Sequence, residues 1–151
     1  PENLEVQEEV TKSTLTPITV GENRYRVTEE RRLIENQAVD IIAPDMPKVG
    51  GMRETRKIAD TANQYYIPVA MHNVSSPVGT MASAHVATAI PNALAVEYHS
   101  YELDWWEDLV EETIIEDGAI EIPETNGLGI TLDEDAVAEH MVKGETLFDE
   151  A

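Results

Sequence analysis

An α/β fold built on parallel strands is predicted for this 151-residue chain, on two observations. Four short, β-prone apolar runs recur between residues 17 and 96, and the stretches separating them carry helical spacing. Runs that are apolar throughout, instead of alternating, suit strands covered on both faces. A strand–helix–strand order implies parallel neighbours joined by right-handed crossovers.

In chain order, the first strand is expected at 17–21, and Thr28 is expected to cap a helix over 29–37 with Leu33, Ile34 and Gln37 on one side. A second strand at 38–44 precedes the pair Gly50-Gly51 and a helix with Met52, Ile58, Ala59 and Ala62 as its apolar positions. The third strand is placed at 66–71, followed by a helix over 79–90 rich in Ala and suited to close packing on a sheet. The fourth strand is placed at 93–96. After Ser100 the pattern changes. Trp105-Trp106 lies in an acidic setting and reads as packing, and residues 116–123 alternate like an edge strand with a turn at Asp117-Gly118. Thr131 or Asp133 can cap a last helix that turns Ala136, Val137 and Met141 inward, while His85 and His140 read as structural or solvated.

The formal net charge is −20, from 30 Asp plus Glu against 10 Lys plus Arg. Such a field repels polyanions, which excludes nucleic acid and anionic membrane as electrostatically attracted partners. No apolar stretch reaches the ~18 residues of a membrane span, and no basic segment followed by an apolar one reads as a signal peptide. Cysteine is absent, so a disulfide scaffold is impossible and a cytoplasmic address is expected. Residues 97–151 hold 18 carboxylates and a single cation, Lys143. With only four lysines and one phenylalanine, the composition suggests a protein adapted to concentrated salt. There the Debye length falls to ~3 Å at 1 M and self-repulsion is screened.

One ionisable residue follows each strand: Glu22, Asp45, His72 and Glu97, separated by 23, 27 and 25 residues. Each spacing is about one βα unit, so the four recur at the same point of a structural repeat. In a parallel barrel that point is the C-terminal mouth, where active sites are built. Any one of them has a dull explanation, as a helix cap or a hydrogen-bonded structural residue; four in phase favour catalysis. His99 follows Glu97 by two positions and is a weaker candidate.

The segments around these residues are Pro17-Ile-Thr-Val-Gly-Glu-Asn23, Ile41-Ile-Ala-Pro-Asp-Met-Pro-Lys-Val-Gly-Gly51, Ile67-Pro-Val-Ala-Met-His-Asn73 and Ile90-Pro-Asn-Ala-Leu-Ala-Val-Glu97. In order and spacing they resemble the C-terminal half of the enolase superfamily, in its mandelate racemase and sugar-acid (galactonate, gluconate) dehydratase branch. The resemblance implies an α/β fold that is the C-terminal half of a modified TIM-type (β/α)7β barrel over residues 1–100. Residues 101–151 would form an acidic extension returning to a capping domain, with Asn126-Gly-Leu-Gly-Ile130 as its glycine turn.

It implies further that Glu22 is a Mg²⁺ ligand and that Asp45 and His72 form a dyad, Asp45 orienting the imidazole while His72 exchanges a proton with substrate. Glu97 would hydrogen-bond a substrate carboxylate or enediolate oxygen through a shared proton. Asn23 and Asn73 would contact substrate or support the site, with turn residues as the equal alternative. The expected activity is Mg²⁺-dependent dehydration of an aldonic acid to a 2-keto-3-deoxy acid through an enediolate. A racemase or epimerase is the alternative within the superfamily, and a non-catalytic half-barrel assembly module the alternative outside it. A closed barrel needs ~250 residues. The expected partners are therefore the missing N-terminal part of the same enzyme and further copies in a homo-oligomer, besides the sugar acid.

Overall fold

The computed structural model describes residues 3–99 and 103–147. The expected boundary at residues 100–101 and the expected start at Pro1 lie outside the described residues.

Four parallel strands carry the fold: β1 (Thr19–Val20), β2 (Ile41–Ile42), β3 (Val69–Met71) and β4 (Ala93–Val96). They lie side by side in chain order, β1-β2-β3-β4, with Thr19 opposite Ile41, Ile42 opposite Val69, and Met71 opposite Val96. Each crossover contains a helix: α2 (Arg26–Glu35) after β1, α3 (Met46–Val49) and α4 (Met52–Gln64) after β2, and α5 (Pro77–Thr88) after β3. One helix, α1 (Leu4–Ser13), precedes β1, and α6 (Glu134–Glu139) lies in the acidic C-terminal segment.

The core lies between the sheet and its helices: Leu33 and Ile34 of α2, Ile42, Ile58, Ala59 and Ala62 of α4, and Val69 are fully buried. Burying each of the Leu, Ile and Val side chains among them stabilises by roughly 1.5–3 kcal/mol. Among α4's expected apolar positions, Met52 is exposed, because it opens the helix where no element covers it. Strand β4 departs from the expectation of cover on both faces: its first three residues are exposed, Leu94 at 60%. Among the described residues no strand pairs with the far side of β1 or of β4, so both edges of the sheet are open.

Several local expectations are corrected. Helix α2 begins two residues before Thr28 can cap it. Glu29 Oε2 accepts the Tyr25 N–H at 2.9 Å and Glu54 Oε2 of α4 accepts the Val27 N–H at 3.3 Å. With those donors satisfied, the first turn forms on Arg26, held at φ 63°. Gln37 does not share the face of Leu33 and Ile34; it lies beyond the helix end in the left-handed region, φ 49°, and is exposed. Residues 116–123 form no edge strand. Glu116 and Ala119 close a tight turn by exchanging N–H···O bonds of 3.0 and 2.9 Å around Asp117 and Gly118, both at positive φ. Pro123 then packs against Gly129, leaving no room for a Cβ there. Of the two candidate caps of α6, Asp133 serves, its Oδ1 accepting the Ala136 N–H at 2.8 Å. Thr131 is instead held by Glu112, at 2.7 Å through its N–H and 3.0 Å through its hydroxyl. Ala136, Val137 and Met141 are half-buried.

Helices α1 and α3 were not anticipated. The buried face of α1 is polar, made of Gln7 and Thr11, with Thr11 Oγ1 donating to the Ala38 carbonyl at 2.8 Å. It carries no apolar stripe to read. Helix α3 is a four-residue turn, too short for periodicity to register.

Candidate active site

Parallel pairing brings the C-terminal ends of the strands to one edge, and three of the four phased residues meet there. Asp45 follows β2 and His72 follows β3, and the two form a parallel bridge that extends the ladder by one step. Their side chains are therefore neighbours on the same side of the sheet. His72 Nδ1 lies 2.9 Å from Asp45 Oδ2, with the carboxylate 3% and the imidazole 21% exposed. A carboxylate acts there as acceptor, so Nδ1 carries the hydrogen and Nε2 is left facing outward. On that outer side stands Glu97, its Oε2 3.8 Å from Nε2. This separation is beyond hydrogen-bond range, so Nε2 is not committed to Glu97.

Asp45 has a second duty. Its Oδ1 accepts the Lys48 N–H at 3.2 Å, capping α3, and the Lys48 ammonium lies 3.3 Å from Oδ2. The helix-cap reading and the dyad reading of this residue are both satisfied by one carboxylate.

Asn73 is 2% exposed, and both hydrogens of its amide are engaged, with Thr80 Oγ1 at 2.8 Å and the Glu97 carbonyl at 3.0 Å. Its Oδ1 accepts from Ser75 at 2.6 Å, and its N–H donates to Glu97 Oε2 at 3.1 Å. These bonds hold Glu97 from both the backbone and the side chain of Asn73, and of the two expectations for Asn73, substrate contact or support of the site, they describe support. Thr80 and Ser75, which complete the network, carried no sequence signal, because their partner is set by the turn between β3 and α5.

Glu22 stands at the same edge, beyond β1, and does not enter this cluster. Its Oε2 accepts the Gly21 N–H at 3.3 Å and its Oε1 accepts from the exposed Asn23 amide at 3.1 Å. Gly21 is required by the close approach of β2: a Cβ there would lie 2.7 Å from the Ala43 carbonyl carbon and oxygen. A half-buried carboxylate with lone pairs to spare is the donor a hard divalent cation takes. No group of three or more His, Cys, Asp or Glu able to hold a metal occurs among the described residues.

Behind Glu22 lies a residue the sequence reading passed over. Glu30 of α2 is 0% exposed and neither carboxylate oxygen has a hydrogen-bond partner. Burial raises its pKa to about 8, with Glu22 and Glu29 pushing the same way and Arg24 opposing. Its spacing from Leu33 and Ile34, three and four residues on, placed it on the buried face. His99 lies exposed beyond β4, and His85 Nε2 donates to the Leu128 carbonyl at 3.0 Å, tying the C-terminal segment to α5. Trp105 stacks on His140 with ring centroids 4.0 Å apart.

The chain belongs to the enolase C-terminal domain-like family, which it matches over residues 1–136. It is 73% identical over 151 residues to a D-xylonate dehydratase of Haloferax volcanii, a match that covers 99% of this chain and 37% of that protein. A D-mannonate dehydratase of Novosphingobium aromaticivorans is 32% identical over 94% of this chain and 36% of its own length. Among solved structures, a mandelate racemase/muconate lactonizing enzyme-like protein of Rubrobacter xylanophilus superposes with a TM-score of 0.93 at 46% identity, over 99% of this chain and 39% of that one. The chain thus spans somewhat more than a third of the length of the relatives it matches and corresponds to the C-terminal part of their barrel. No described helix is long and apolar enough to cross a membrane.

Proposed function

We propose that this chain is the C-terminal barrel half of a Mg²⁺-dependent sugar-acid dehydratase, a hydro-lyase acting on an aldonic acid of the D-xylonate kind. The observation that carries the proposal is the Asp45–His72 pair with its free Nε2 facing Glu97. The 73% identity to a D-xylonate dehydratase supports the choice of reaction.

Dehydration removes the proton α to a carboxylate and expels the β-hydroxyl as water. The base for the first step comes from outside this chain. When bound, with Glu22 among its ligands, Mg²⁺ supplies positive charge opposite the charge that develops on the substrate carboxylate. Glu97, fixed by Asn73, meets the same oxygens through a shared proton. His72 then acts as general acid. Asp45 stabilises the imidazolium and fixes its orientation, and Nε2–H gives its proton to the departing 3-hydroxyl. Water leaves, the enol tautomerises, and a 2-keto-3-deoxy acid results. Among the described residues Nε2 makes no hydrogen bond, and Glu97 Oε2, at 3.8 Å, is the acidic oxygen that faces it.

The same proposal assigns the remaining barrel strands, further Mg²⁺ ligands and a capping domain to polypeptide outside this chain. The acidic segment from residue 101 packs on that domain, and the enzyme is an oligomer of several copies. The test is His72→Asn in the full-length enzyme, assayed with D-xylonate and other aldonic acids for 2-keto-3-deoxy products. Turnover should fall by at least ~10³-fold with the fold intact. Full turnover in the variant removes the dyad from the mechanism, and interconversion of epimers without water loss would assign the racemase chemistry instead.

A further inference from the structure

Lys48 touches both oxygens of the buried Asp45 carboxylate. Its backbone N–H donates to Oδ1 at 3.2 Å, and its ammonium lies 3.3 Å from Oδ2, the oxygen that also takes the His72 Nδ1–H at 2.9 Å. Two cationic or polar donors thus converge on one oxygen. With Asp45 3% exposed and Lys48 38% exposed, the pair lies where solvent screens it less than on an open surface.

We propose that Lys48 is a positioning residue for the reaction: it clamps the plane of the Asp45 carboxylate against His72 and draws off part of the negative charge that would otherwise hold the imidazolium proton. This inference rests on the dyad reading above and goes beyond it by assigning a third member. The short turn α3 makes the arrangement possible. Asp45 caps the turn, so the residue three positions on is brought back over the carboxylate, where its ammonium meets Oδ2.

The charge balance sets the sign of the effect. Among the described residues, the ionisable groups in contact with His72 are Asp45 and, through it, Lys48 from the β2–α3 junction, and Glu97 from the end of β4. Two are anions and one is a cation. Removing the cation makes the imidazolium easier to keep and its proton harder to give away. In a reaction that needs His72 protonated, the limb of the kcat profile lost at high pH then moves to higher pH.

The experiment uses the full-length enzyme with Lys48→Met, which keeps an unbranched side chain one atom shorter and the backbone cap but removes the charge, alongside Lys48→Arg and His72→Asn. The alkaline limb of the kcat profile for Lys48→Met should move up by ~0.5–1 pH unit, with kcat at the optimum lowered ~3–10-fold and KM changed less than about twofold. Lys48→Arg should return the limb toward its wild-type position. A Lys48→Met profile superimposable on wild type, in an enzyme that His72→Asn silences, overturns this assignment and leaves the dyad standing. Full turnover by His72→Asn overturns both. Should Lys48→Met fail to fold, Lys48→Gln is read by the same criteria.

Discussion

The orphaned carboxyl of Glu30 makes a prediction about stability that is independent of catalysis. It is fully buried, without a hydrogen-bond partner, and its pKa in the folded chain is raised from 4.5 to about 8. The folded protein therefore holds a proton that the unfolded chain releases above pH 4.5. The contribution to stability is fully present below that pH and is lost as pH rises through about 8. At ~1.4 kcal/mol per pH unit the loss totals roughly 5 kcal/mol, of which roughly 2 kcal/mol falls between pH 6 and pH 8. Glu30→Gln keeps the shape and cannot ionise. Urea unfolding of the full-length enzyme and of this variant in identical buffers should show curves that converge at low pH. The variant should gain on the wild type steadily as pH approaches 8. Parallel curves from pH 5 to pH 9 would mean that the carboxyl is solvated or paired in solution, and the argument from burial fails.

Two further outcomes follow from geometry and charge. Gly21→Ala forces a methyl to within 2.7 Å of the Ala43 backbone at φ 155°; backbone cannot yield there as a flexible side chain would. The variant should lose roughly 2–4 kcal/mol in thermal melts and bind Mg²⁺ more weakly through displacement of Glu22, and an unchanged melt would refute the close approach of β1 and β2. Raising KCl from 0.1 to 2 M should increase stability, because a charge of −20 is carried on 151 residues and the Debye length falls from ~10 Å to a few ångströms. A melting temperature that falls with KCl would contradict the self-repulsion account.

What the sequence by itself determined here is the alternation of elements and the phase of the residues that end each strand. Both are local: a run of small apolar residues makes a two-sided strand, and a parallel βα unit of about 25 residues returns every strand end to one edge. The approach of Asp45 to His72 was legible for that reason, since adjacent parallel strands leave their terminal residues side by side.

Tertiary structure decided the rest. Asn73 and Asn23 follow His72 and Glu22 at the same offset, yet one is buried under Glu97 and the other is exposed, because β3 has a neighbour on each side while β1 lies at an open edge. Helix α1 was invisible because its buried face is Gln7 and Thr11, and polarity there is tolerated only once Ala38 supplies an acceptor from 27 residues away. Lys48 reads in sequence as a surface lysine near a turn. Only the closing of α3 on Asp45 turns it toward the dyad. Glu30 shows the limit most directly. Its helical spacing predicts burial, but spacing carries no information on whether a hydrogen-bond partner waits inside, and that depends on atoms brought in by other elements.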